Sequence, residues 1–169
     1  MQLISSGTLD INQLQTEQNN SRNADKDTND GNAFFGGTPF TGATSKYTHV
    51  QFFNPASSGV YVLVDRILFT VEIGDYINVR SLGSEISGDF GTQKAKEQGL
   101  ANSKVKLLYE QNTSNLGSSL TTIPANPADV VTVTPKNPFR FNESESMLFI
   151  SKAVNENISV YMEWREILL

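Results

Sequence analysis

The longest apolar, β-branched run of the sequence is Gly59-Val-Tyr-Val-Leu-Val-Asp-Arg-Ile-Leu-Phe-Thr-Val-Glu72. This composition predicts the central strand of a β-sandwich. One apolar face consists of Tyr61, Leu63, Ile67, Phe69, Val71 and Ile73, and a second, shorter one of Val60, Val62, Val64 and Leu68. Two apolar faces are typical of a strand that is covered on both sides. We expect the opposing sheet on one side, and an N-terminal arm or a neighbouring subunit on the other.

Two charged residues, Asp65 and Arg66, interrupt this run near its middle. At about 3.3 Å per residue the run would extend on the order of 40 Å, which is long for one flat strand. The sequence therefore predicts a bend or β-bulge at Asp65-Arg66.

Further strand patterns occur on both sides of the central strand, whereas a helical turn is expected only near Thr92–Gln98. The additional strands are predicted at 47–53, 76–82, 104–110, 130–134, 139–141, 147–154 and 158–167. About eight strands with two long connections favour a jelly roll or a related Greek-key sandwich. We predict an all-β protein with a single jelly-roll-like β-sandwich domain at residues 47–169.

Two short turns predict that neighbouring strands pair as hairpins. Gly74-Asp75 ends the central strand, so Tyr76–Leu82 is the expected hairpin partner of that strand. Asn155-Glu-Asn157 predicts a tight hairpin into the last strand. In that strand the expected inward residues are Ile158, Val160, Met162 and Trp164.

Residues 1–46 differ from the rest and are predicted to form an extended N-terminal arm. Residues 15–31 are too polar to build a core. Three aromatic residues follow among glycines, namely Phe34, Phe35 and Phe40. They either pack on the chain's own sandwich or dock on another subunit or on a capsid. We select these three phenylalanines as candidate interface residues.

Composition excludes several classes of function. The formal net charge is −5 and no Lys/Arg cluster occurs, which argues against binding to nucleic acid. No apolar run has the ~18 residues of a membrane span, and Met1–Gly7 lacks the features of a signal peptide. Without cysteine there is neither a disulfide framework nor a thiolate metal site.

Candidate catalytic and metal-binding residues lack the surroundings that such chemistry needs. His49 is the single histidine, and no G-x-S-x-G motif accompanies it. The pair Glu143/Glu145 lies in a polar turn, and Glu163/Glu166 would point to opposite faces of a strand. The acidic loop Asp25–Gly31 does not have the register of an EF-hand. We predict no catalytic site, no cofactor and no metal, and therefore no enzyme.

Two segments of the chain show a resemblance to known proteins. The first is Val50-Gln-Phe-Phe-Asn-Pro-Ala-Ser-Ser-Gly-Val-Tyr-Val-Leu-Val-Asp-Arg-Ile67, which resembles the strand–turn–strand opening of small virion accessory proteins of tailed bacteriophages. The second is Ser159-Val-Tyr-Met-Glu-Trp-Arg-Glu166, which resembles their terminal strand. The resemblance covers about residues 47–167. It implies a capsid decoration (cement) protein that binds the major capsid protein and self-associates, with a homotrimer as the expected oligomer. It also implies a location in the virion, which is assembled in the host cytoplasm.

A recognition module of a tail fibre or spike that binds host surface glycans is the alternative. A glycan site needs exposed aromatic platforms beside carboxylates or amides. Tyr76, Phe90 and Tyr109 are the candidates for such a platform, although they do not cluster in the sequence.

Overall fold

The computed structural model describes residues 32–96 and 102–169, and the regular structure of these residues is entirely strand. The strands are β1 (Ala33–Gly37), β2 (Tyr47–Phe53), β3 (Val60–Val71), β4 (Tyr76–Ser81), β5 (Asp89–Phe90), β6 (Thr92–Ala95), β7 (Lys106–Asn112), β8 (Ser118–Pro124), β9 (Val130–Val133), β10 (Phe139–Phe141), β11 (Ser146–Ser151) and β12 (Ile158–Leu168). The helical turn expected near Thr92–Gln98 is wrong, because Thr92–Ala95 is a strand. No helix that could cross a membrane occurs in the described residues.

The strands form two antiparallel sheets with jelly-roll connectivity. Sheet A has the order β10-β3-β12-β1-β6, with β9 beside β10 on the same edge of β3, and sheet B has the order β5-β7-β2-β11-β4-β8. The pairs are nested: β1 pairs with β12, β2 with β11, β3 with β9 and β10, and β4 with β8. Such nesting is what rolling up one long hairpin produces. The predicted all-β, jelly-roll-like sandwich is confirmed.

The long connection between β4 and β8 carries strands in addition to this jelly roll. β6 extends sheet A beside β1, whereas β7 extends sheet B beside β2 and itself pairs with β5. The sequence predicted β7 but missed β5 and β6, because they are short and polar. It also missed β8, whose sequence Ser-Ser-Leu-Thr-Thr-Ile-Pro lies at the edge of sheet B with most of its side chains exposed.

The predicted bulge of the central strand is confirmed at Asp65. Val64 pairs with Trp164 and Arg66 with Glu163, so Asp65 is the extra residue between them. The extra residue reverses the side-chain parity of β3. The inward residues are Val60, Val62 and Val64 before the bulge and Ile67, Phe69 and Val71 after it. The expected grouping of Tyr61 and Leu63 with Ile67 is therefore wrong.

The core between the sheets is built around Trp164 of β12, which is fully buried. The ring of Phe52 meets it edge-on with centroids 5.2 Å apart, and Phe34 stacks on it at 6.0 Å. The other predicted inward residues of the last strand, Ile158, Val160 and Met162, are buried as well, which confirms that pattern.

Both predicted hairpins are wrong, because each turn carries the chain from one sheet to the other. β3 lies in sheet A and β4 in sheet B, and β11 and β12 are likewise divided. The buried carboxylate of Glu156 ties the two turns together, since it accepts hydrogen bonds from the backbone N–H of Gly74 (2.5 Å) and of Ala153 (3.1 Å). A turn sequence does not distinguish a hairpin from such a crossing.

The sandwich begins before residue 47, because β1 lies between β12 and β6 inside sheet A. The predicted boundary between arm and domain is thus corrected to include Ala33–Gly37 in the sandwich. A Cβ atom on Gly36 would lie 2.6 Å from the carbonyl oxygen of Thr92 and 3.1 Å from the Trp164 ring. This close approach of the backbones requires glycine. Because glycine has no side chain, β1 lacks the alternation of apolar and polar residues by which a strand is recognised in a sequence. The part of the expected arm at residues 1–31 lies outside the described residues.

Candidate interaction surfaces

The three phenylalanines selected from the sequence lie in different environments. Phe34 is 3% exposed and belongs to the chain's own core. Phe35 faces outward on sheet A and is half-buried against Tyr161, with ring centroids 6.2 Å apart. Phe40 follows β1 and is 49% exposed. Among the three, only Phe35 and Phe40 have surface to offer a partner, so the interface prediction is carried forward for these two.

The outer face of sheet A, defined here by Phe35, Tyr61, Leu63, Leu68 and Tyr161, is aromatic and aliphatic. All five side chains are half-buried, and both hydrophobic clusters of the described residues leave them out. Tyr61 and Leu63 lie on this face because successive side chains of a strand point to opposite faces, and Val60, Val62 and Val64 point inward. The second cover expected over the first half of β3 would lie on this face.

Charged side chains on the outer face of sheet A form two ion-paired groups. The guanidinium of Arg165 donates two hydrogen bonds to the carboxylate of Asp65, and Glu163 accepts one from Lys96 (2.8 Å) and lies 3.5 Å from Arg66. Burial, and secondarily the charge of Glu163, raises the pKa of Tyr161 above its ordinary value. These three cations and two carboxylates leave one net positive charge, so the face combines apolar area with little net charge.

The outer face of sheet B is closed by its own loop. Ile86, from the connection between β4 and β5, forms a small second core with Leu108, Leu148 and Ile150. The side-chain amide of Gln51 fixes this connection, since it donates to the carbonyl of Ser84 (2.8 Å) and accepts from the N–H of Ile86 (2.9 Å). The two sheets therefore differ: sheet B covers its outer face within the chain, and sheet A does not do so with the described residues.

An apolar cleft opens between the two sheets where the edge strand β8 of sheet B faces the edge strands β9 and β10 of sheet A. Its volume is about 370 Å³. The walls are Leu120, Thr121 and Ile123 of β8, Val133 of β9 and Phe139, Arg140 and Phe141 of β10, and the floor is Ile67, Val79 and Met147. Leu120 is 60% exposed. The buried core thus continues to the surface at this edge.

A second, more polar cavity of about 330 Å³ adjoins the apolar cleft and shares Arg140 and Phe141 with it. Its remaining lining comes from residues 81–83 and 144–146. The guanidinium of Arg140 lies 4.2 Å from the centre of the Tyr61 ring. The two cavities therefore lie beside each other, on either side of β10, and differ in the polarity of their linings.

The candidate catalytic residues have structural environments. His49 is fully buried on the outer side of sheet B, and neither ring nitrogen has a hydrogen-bond partner in the described structure. Burial, and secondarily the charge of Arg80, lowers its pKa to about 4. Glu143 accepts from the N–H of Gly59 (2.7 Å) and Glu145 from that of Asn142 (2.6 Å), so both hold turns.

Glu163 and Glu166 point to opposite faces of β12, as their spacing predicted. Glu163 lies on the outer face of sheet A, whereas Glu166 is buried and accepts a hydrogen bond from the indole N–H of Trp164 (3.1 Å). Within residues 32–96 and 102–169, no group of three or more His, Asp or Glu side chains could hold a metal ion. The acidic loop Asp25–Gly31 lies outside these ranges.

The aromatic residues considered for a glycan site do not come together. Tyr76 begins β4, and the ammonium of Lys152 lies 4.9 Å from its ring centre. Phe90 of β5 and Tyr109 of β7 lie toward the opposite edge of sheet B, with β2 and β11 between β7 and β4. These three residues therefore build no common platform.

Comparisons of the chain with protein-family models, with curated proteins and with solved structures found no match.

Proposed function

We propose that this protein is a structural virion protein of a tailed bacteriophage, which decorates and stabilises the capsid through protein–protein contacts. The observation that carries the proposal is the outer face of sheet A, where five half-buried apolar side chains lie outside both hydrophobic clusters. Apolar area beside ion-paired charges is what a protein–protein interface buries. The jelly roll is a frequent fold of viral capsid domains, and the resemblance of residues 50–67 and 159–166 to virion accessory proteins supports the same class.

The proposed partners are the major capsid protein and further copies of this chain, assembled as a homotrimer in the host cytoplasm. Phe35 belongs to the outer face of sheet A, and Phe40, which follows β1 in the chain, adds exposed apolar surface. An enzymatic role forms no part of the proposal, because His49 and the carboxylate pairs serve the fold. Tyr76, Phe90 and Tyr109 form no common binding platform, so they do not support the glycan-binding alternative.

Reconstitution with capsids that lack this protein tests the proposal. Purified protein should sediment with the capsids and raise their resistance to heat, and its mass in solution should be that of a trimer. Leu68→Asp places a charge in the outer face of sheet A and should abolish both effects. Ile73→Asp makes the same change at an exposed residue in the turn after β3 and serves as the matched control.

Two results would contradict the proposal. One is wild-type protein that does not bind capsids but binds host cells or their glycans, which would favour the tail-fibre alternative. The other is Leu68→Asp protein that remains folded and binds capsids as tightly as the wild type, which would remove this face from the interface.

A further inference from the structure

The apolar cleft between β8 and β10 has buried core side chains at its floor and exposed apolar side chains at its rim. Ile67 and Met147 form part of its floor, and Leu120 and Phe139 stand exposed at its rim. The strands on both sides are sheet edges: β8 pairs only with β4, and β10 only with β3, within the described residues. Edges of this kind have backbone N–H and C=O groups free to accept another strand.

The chain itself contains a segment of matching chemistry. Within residues 1–31, leucine and isoleucine occur only at positions 3, 4, 9, 11 and 14. Leu9 and Ile11 alternate with Asp10 and Asn12, so an extended segment would place both apolar side chains on one face and both polar ones on the other. Residues 15–31 then provide a polar connection to β1.

The connection is long enough to reach the cleft of the same chain. The carbonyl of Asn32 accepts a hydrogen bond from the N–H of Glu166 (2.8 Å), Glu166 pairs with Val62, and Val62 pairs with Phe141 of the cleft wall. Three spacings between strands amount to about 15 Å. A chain of the length of residues 15–31 can bridge that distance, since even a coil of this length has a root-mean-square span of roughly 20–25 Å.

We propose that residues 3–14 dock in the apolar cleft of their own chain, with Leu9 and Ile11 inserted between the edge strands β8 and β10. The segment closes the sandwich at its open edge and shields that edge from pairing with other chains. Attachment through so short a connection gives an effective concentration in the millimolar range, which favours the chain's own segment over that of a second copy. The inference is independent of the proposed role in the virion.

Disulfide trapping in the full-length protein tests this docking, and the absence of native cysteine makes the experiment clean. The test variant is Leu9→Cys with Leu120→Cys, and the control is Leu9→Cys with Phe90→Cys. Leu120 and Phe90 have similar exposure but lie on the two opposite edges of sheet B. Mild oxidation should form about tenfold more intrachain disulfide in the test variant, because docking raises the local concentration at Leu120 alone.

A second measurement does not depend on engineered cysteines. Leu9→Asp with Ile11→Asp should increase both hydrogen exchange of the β8 and β10 amides and binding of an apolar dye. Gln15→Asp with Gln18→Asp adds the same charge to the polar connection and should change neither. Equal trapping at both positions, trapping only between two chains, or a small apolar ligand that copurifies and fills the cleft would each overturn the proposal.

Discussion

The carboxylate of Asp65 and the guanidinium of Arg165 form a two-pronged ion pair across the bulge of the central strand. Arg165 Nε donates to Asp65 Oδ2 at 2.9 Å and Arg165 Nη2 donates to Asp65 Oδ1 at 2.8 Å. The extra residue that the bulge inserts is thus held by its neighbour strand. Since the parity of β3 changes at this residue, the pair helps to determine which side chains enter the core.

Replacing Asp65 should destabilise the sandwich. Asp65→Asn retains the shape but removes the charge that faces the buried guanidinium, and hydrogen bonds to charged groups contribute about 1.5–3 kcal/mol. We expect a loss at the lower end of that range, because Asp65 is partly exposed and solvent screens the pair. Urea unfolding measures it. The control Arg66→Ala breaks a more exposed pair and should cost less than about 1 kcal/mol; equal losses would contradict this view.

His49 should make the protein less stable in mild acid. Its pKa in the folded state is about 4, whereas in the unfolded chain it is about 6.5. Below about pH 6.5 His49 binds a proton in the unfolded state but not in the folded state. The free energy of unfolding therefore falls as the pH decreases toward 4. From neutral pH to about pH 5 this difference amounts to about 2 kcal/mol.

The variant His49→Leu isolates this effect from that of other titrating groups. It removes the two ring nitrogens and keeps an apolar side chain at a fully buried site. The difference in unfolding free energy between wild type and variant, measured by urea at several pH values, should shift steadily in favour of the variant below about pH 6.5. A difference that does not vary with pH would show that His49 titrates normally.

Glu166 should be required to hold Ser103 and Lys104, which precede β7, against the core. Its carboxylate accepts hydrogen bonds from the hydroxyl of Ser103 (2.5 Å), the N–H of Lys104 (3.0 Å) and the indole of Trp164 (3.1 Å). Glu166→Ala leaves these donors without an acceptor and should cost about 2–4 kcal/mol. Glu163→Ala, on the outer face of the same strand, is the control and should cost less than about 1 kcal/mol. Thermal unfolding that ranks the two variants equally would contradict the assignment.

Gly36→Ala should weaken the pairing of β1 with β6. The added methyl group would lie 2.6 Å from a backbone oxygen of Thr92, and overpacking of this kind costs about 1–3 kcal/mol. Gly83→Ala adds the same group where no atom lies within 4 Å and should be nearly neutral. Chemical denaturation, together with hydrogen exchange of the β1 amides, distinguishes the two. If Gly36→Ala were as stable as Gly83→Ala, the close packing of β1 on β6 would be refuted.

Strand positions with strong local signals were accessible from the sequence. β2, β3 and β12 carry runs of β-branched and aromatic residues, and their bounds agree closely with the prediction. The charged residues Asp65 and Arg66 in an apolar run likewise located the bulge. Side-chain alternation in β12 identified the inward residues, because the period of a strand is a local property.

The partner of each strand was decided only by the tertiary structure. β1 and β8 have little apolar alternation, and they become strands because β12 and β4 offer them open edges. The turns at Gly74 and Asn155 look like hairpins in sequence but cross between the sheets, since the jelly roll pairs β3 with β12 and β4 with β11. The single inserted residue at Asp65 reversed the faces of Tyr61 and Leu63, because parity depends on register with the neighbouring strand.

For the candidate surfaces, too, the sequence determined some features and the tertiary structure determined others. The sequence by itself determined an all-β sandwich, an acidic cysteine-free composition and the presence of aromatic residues near the N-terminus. Only the tertiary structure showed that Phe34 belongs to the core, that the outer face of sheet A carries half-buried apolar residues, and that a cleft opens between β8 and β10. Leu120 and Phe139 are brought to one rim by pairing with different sheets, and pairing between segments distant in the chain leaves no local pattern in sequence.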